Sequence, residues 1–174
     1  MDERSERRSW PEQEFSSINL GDKRLSLRLI KTAEHCLNQP LCPINQACES
    51  WADTKAAYRL FANKKVAPEE ILAPHRERTV ERISAFKQVF SIQDTTYLNY
   101  TSHPKTKGLG HIGTAHQKHV QGLIMHHALA VSPTGVPLGL LHQETYSRAK
   151  KSKNKKASQA HKRLPIEQKE THRW

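Results

Sequence analysis

In the first half of the chain, apolar residues recur at helical spacing. Within "FSSINLGDKRLSLRLIKTAEHCLNQP", Leu25, Leu29, Ala33 and then Cys36 or Leu37 share one face of a helix, and Pro40 stands just beyond its end. Arg24, Arg28 and Lys31 fall on another face of the same helix. Pro43 opens a short helix through "INQACES". Asp53 is placed to cap a helix over "TKAAYRLFAN", in which Ala57, Leu60 and Phe61 make a core stripe. Pro68, Glu69 and Glu70 begin a longer helix that continues through "RERTVERISAF", with Pro74 as a point where it can bend. Residues 1–86 therefore predict a small helical domain.

At Lys87 the pattern changes to short apolar runs bounded by turn residues. "QVFSIQD" has the length and residue types of a buried strand, "GLIMHHALAVS" of a second and "VPLGLLHQETY" of a third, and "SPTG" joins the last two into a hairpin. Beyond a polar, basic run, "LPIEQKETHRW" reads as a helix start, with Pro165 in the first turn and Glu167 and Glu170 near its positive end.

Composition narrows the function classes. Hydrophobic residues make up only 36% of the 174 positions, low for one compact domain, so part of the chain is expected to be solvated. No stretch is long and apolar enough for a membrane span, and "MDERSERRSW" lacks the apolar core of a signal peptide, which points to the cytoplasm. The net charge of +11 is unevenly spread: from Tyr146 to Trp174 there are ten Lys or Arg against two acids, whereas residues 1–86 carry fourteen against thirteen. The basic run "RAKKSKNKKASQAHKR" is a solvated loop by composition and a source of nonspecific attraction to phosphates. Any DNA-binding face in the helical region must come from segregation of charge, not from excess.

Several patterns look like chemistry and are better explained otherwise. "GLGHIG" at residues 108–113 fits the glycine pattern of a dinucleotide site, but no buried strand leads into it and no amphipathic helix follows, so the glycines punctuate a loop and no dinucleotide is expected. Cys36, Cys42 and Cys48 match neither a zinc pair nor a disulfide framework and read as buried thiols. Adjacent His126 and His127 point to opposite faces of a strand, which argues against a shared metal. Asp94 ends the first predicted strand in "SIQDTTYLNY". A carboxylate fixed there suits a hard cation such as magnesium, and a strand-end Asp followed by two threonines equally suits a turn.

Five separated blocks, "LGDKRLSLRL", "AYRLFAN", "SIQDTTYLNYT", "GLGHIG" and "VPLGLLHQETYSR", in this order and at these intervals, resemble the bacterial DDE transposases of insertion-sequence family four, the transposon-five type. The similarity runs from about Phe15 to the last residue. It implies an α+β chain: a helical domain over 1–86 that binds double-stranded transposon-end DNA, then an incomplete ribonuclease H-like domain over 87–174 with its first three strands and a basic loop at 146–163. It implies that Arg24, Arg28 and Arg59 contact DNA, and that Asp94 is the first of three catalytic carboxylates that hold divalent ions, Mg2+ by family habit. It also implies that the first three strands are antiparallel neighbours and that the outer edge of "VFSIQD" stays unpaired.

The sequence departs from that family in one respect. The family's second Asp and its Glu lie beyond Trp174, and one carboxylate cannot fix two ions about 4 Å apart. The expectation is a transposase N-terminal portion, part of a cut-and-paste DNA transposition system, that recognises DNA and is inactive alone. Two rivals stand beside it: half of a split enzyme restored in trans by a C-terminal fragment, and an inhibitor acting on full-length transposase.

Overall fold

Ser9, held extended, starts the first helix by accepting the backbone N–H of Glu12, while the Glu12 carboxylate accepts the N–H of Ser9 at 2.8 Å. The helices that follow are α1 (Trp10–Glu14), α2 (Lys23–Asn38), α3 (Ile44–Ala47), α4 (Trp51–Phe61) and α5 (Pro68–Ile83). The computed structural model describes residues 8–114, 116–117, 119–148 and 165–166, and the chain divides into two units between Gln88 and Val89. The basic run over 149–164 and the helix start predicted in "LPIEQKETHRW", apart from Pro165 and Ile166, lie outside the described residues.

Asp22 caps α2 by accepting the N–H of Arg24 at 2.8 Å, just after Gly21 turns the chain with a φ of 74°. The cap of α4 is Ser50, not Asp53: Ser50 is extended and its hydroxyl oxygen accepts the Asp53 N–H at 3.1 Å. Asp53 lies one turn inside, where its carboxylate accepts the Ser50 hydroxyl at 2.7 Å. α5 is a single helix across Pro74.

Leu20, Leu29 and Leu60 form the buried core of the helical unit, with Phe15, Ile18, Leu25, Val66 and Ile71 packed on it. The predicted stripes need correcting at their ends. Cys36, Leu37 and Phe61 are exposed, and the inner positions of α2 are Leu29, Thr32 and His35. Of the three cysteines, only Cys48 is buried. Polar residues can occupy the inside because they are satisfied locally: buried Thr32, Thr54 and Thr79 each donate to the carbonyl one turn back, at 2.7, 3.1 and 2.8 Å.

A buried carboxylate ties the first helix to the last. Glu14, 2% exposed, takes two bonds from the Arg82 guanidinium at 2.8 and 2.9 Å and lies 2.6 Å from His75 Nδ1. Burial is the largest single influence and pushes the Glu14 carboxyl up, but the bonds and charge of Arg82, together with His75, outweigh it and hold the group below the usual carboxylate range.

The second unit is an antiparallel sheet of β1 (Phe90–Asn99), β2 (Gly110–His111), β3 (Gln121–Val131) and β4 (Pro137–Tyr146). β3 is central, pairing with β1 along its whole length and with β4 and the short β2. The hairpin turn uses Gly135 at a φ of 85°, and Ser132 accepts the Val136 N–H through its side chain at 3.0 Å. Along β3 the even positions from Gly122 to Ala130 are buried and the odd ones half-buried, which puts His126 and His127 on opposite faces.

β1 is longer and more exposed than predicted. It continues five residues past Asp94, because Thr95, Thr96 and Tyr97 are good strand formers and pair in register with His126, Met125 and Ile124. Asp94 is therefore mid-strand and not at a strand end. Residues 90–94 are exposed, and β1 has a partner only on its β3 side among the described strands. In the glycine-rich segment, Gly110 pairs with Gly122, and a Cβ on Gly110 would run into the backbone of Arg148. Close approach of two backbone segments accounts for that glycine.

Candidate nucleic-acid interface

α2 and α4 pack against each other through Leu29 and Leu60, and their edges are joined by charge. Lys31 Nζ donates to Asp53 at 2.6 Å, and His35 Nε2, buried without a hydrogen bond, lies 3.8 Å from the same carboxylate. The Lys31 bond is the main cause that holds the Asp53 carboxyl below its usual range, with help from Ser50. Lys31 and Asp53 are thereby neutralised and serve the joint between the helices.

The three arginines singled out by resemblance stay available on this pair of helices. Arg24 lies in the first turn of α2 with its side chain 87% exposed and only a loose 3.6 Å approach to Asp22. Arg28, one turn on, is half-buried and makes no side-chain hydrogen bond or ion pair among the described residues. Arg59 is exposed in the last turn of α4 and is likewise unpaired. Sequence pattern missed the residues beside Arg59: Trp51, Lys55 and Tyr58 also stand on the outer side of α4. Their spacing of four and three is the period that located the inner stripe, so the outer stripe was legible by the same count.

Asp94 belongs to the other unit. Its carboxylate is exposed and makes no hydrogen bond or ion pair among the described residues. Its register partner on β3 is His127, whose Nδ1 is closed off from solvent without a hydrogen-bond partner. The next position, Thr95, faces the opposite side and bonds His126 Nδ1 at 3.1 Å. Among the described residues no group of three or more His, Cys, Asp or Glu is arranged to hold a metal ion. Asp94 can thus supply one ligand to a divalent cation, but the described residues do not make a two-ion centre.

Arginines left available on two packed helices of a small unit are suited to contacting DNA. Residues 7–66, which span α1 to α4, match the family model of transposase DNA-binding domains. The chain carries a transposase DNA-binding domain at its N-terminus, followed by an antiparallel sheet. No helix among the described residues is long and apolar enough to cross a membrane.

Proposed function

We propose that this chain recognises transposon-end DNA through arginines of α2 and α4, and that its sheet is the opening part of a ribonuclease H-like domain of the insertion-sequence family-four type. The match of residues 7–66 to transposase DNA-binding domains carries the first half of this reading. Arg28 and Arg59, without a side-chain partner among the described residues, and the exposed Arg24 support it, because guanidinium groups suit phosphates and guanine edges. The antiparallel neighbours β1, β3 and β4 have the order that the resemblance implies, which supports the second half.

In this reading Asp94 is one member of a magnesium-binding carboxylate set whose other members come from outside the described residues. No catalytic step is assigned to the described residues, since a single carboxylate cannot position two ions. The test is a titration of duplexes taken from the DNA flanking the chain's own coding sequence, against shuffled duplexes at several salt concentrations. Preference for the flanking ends is expected, and Arg59→Ala should reduce that preference by about 1–3 kcal/mol if the side chain reads a base. Equal losses on both duplexes would remove the readout role. In the absence of divalent ions Asp94→Asn should leave DNA affinity unchanged or slightly improved, because the lost carboxylate charge repels phosphate; a marked loss would show that Asp94 has been misassigned.

A further inference from the structure

α4 exposes more than cations. Its outward positions are Trp51, Ala52, Lys55, Tyr58, Arg59 and Phe61, with no acid among them. Trp51 is 76% exposed and Tyr58 51% exposed, and the two lie two turns apart on one stripe with Lys55 between them. Single exposed aromatics are ordinary on protein surfaces. Two in line on an acid-free helix face, interleaved with Lys55 and Arg59, which have no ion-pair partner among the described residues, are a different matter: this is the composition that grips nucleic acid by charge and by apolar contact together.

Resting on the DNA-binding function proposed above, we propose that Trp51 and Tyr58 lie against the sugars and base edges of the duplex and give α4 an apolar hold on DNA that salt does not screen. The stripe from Trp51 to Tyr58 is about 10 Å long, comparable with a major-groove width of about 12 Å. A second copy of the chain is a poorer occupant. A two-fold dimer through this face would bring two sets of Lys55 and Arg59 cations together with no acid among the exposed positions of α4 to offset them. DNA supplies both the missing negative charge and flat apolar surface.

The test uses the full chain and a duplex from the DNA flanking its coding sequence. With Trp10 and Trp174 changed to Phe, Trp51 becomes the sole tryptophan reporter. Its emission should be quenched on saturation with duplex and become less accessible to acrylamide. Trp51→Ala should weaken binding roughly tenfold and Tyr58→Ala roughly threefold. Both should leave the slope of log affinity against log salt unchanged, because that slope counts neutralised phosphates. Far-UV circular dichroism should not move, since both side chains point outward. Unchanged affinity of Trp51→Ala with unmoved emission overturns the inference and leaves binding by the arginines standing. Loss of self-association in Trp51→Ala with DNA affinity intact also overturns it and gives the face to a second copy. Failure of the wild-type chain to bind any duplex overturns the underlying function, a result distinct from either.

Discussion

The helical unit and the sheet are held by different means. In the helical unit, contacts far apart in sequence close the structure on itself: Leu20, Leu29 and Leu60 meet in one core, and Glu14 bonds Arg82 across 68 residues. The sheet is held by a backbone ladder, and its buried apolar residues, Ile124, Ala128, Ala130, Val131 and Leu138, are mostly small and mostly on one strand. Phe90, Ile92 and Tyr97 of β1 are each about half exposed. A ladder fixes register without supplying much hydrophobic stabilisation, so the outer strand of the sheet should open far more readily than the helical core.

The largest test of that contrast acts on the ladder alone. A Cβ at Gly122 would collide with the Leu98 carbonyl oxygen and crowd Ile112, so Gly122→Ala should cost about 3 kcal/mol or more by forcing β1 from β3. Hydrogen exchange should show protection lost across residues 90–99 while the helices keep theirs and DNA is still bound. Coincident loss in both units would mean that they fold as one, and the contrast would fail.

A smaller effect is expected from the helical side. Arg82→Ala strands the buried Glu14 carboxylate and should lower stability by about 2–3 kcal/mol, less than for a wholly buried pair because Arg82 is one-third exposed. Acid should act on the same contact. Glu14 is held below its unfolded value, so its stabilisation is complete above the ordinary carboxylate range and is lost as pH falls through the lowered folded value. Glu14→Gln should flatten that acid limb in thermal unfolding while leaving the exchange rates of β1 amides as they were. The smallest expected change is at the cap of α4. Ser50→Ala should cost about 1 kcal/mol, whereas an alanine at Asp53 should chiefly loosen the α2–α4 joint through Lys31 and be read as a change in α2 exchange.

Much of the architecture was already in the residue pattern. Helical spacing located α2 and α4, Pro68 with Glu69 and Glu70 marked the start of α5, Pro43 marked α3, and "SPTG" marked the hairpin, because these signals act within a few residues and depend on local backbone preference. Charge bookkeeping also pointed to segregation as the only route to a DNA face in the helical region. Tertiary structure decided the rest. Thr32 and His35, not Cys36 and Leu37, turn inward on α2, where α1, α3 and α4 pack against it, and threonine satisfies its own hydroxyl on the turn behind it. β1 runs past Asp94 because β3 offers partners up to Gly122, something no local propensity of "DTT" could state. Likewise, whether Arg59 is spent on a salt bridge or left free, and whether Glu14 is a surface acid or a buried anchor, depends on residues dozens of positions away, and side-chain charge takes its energetic meaning from what burial removes and what a partner returns.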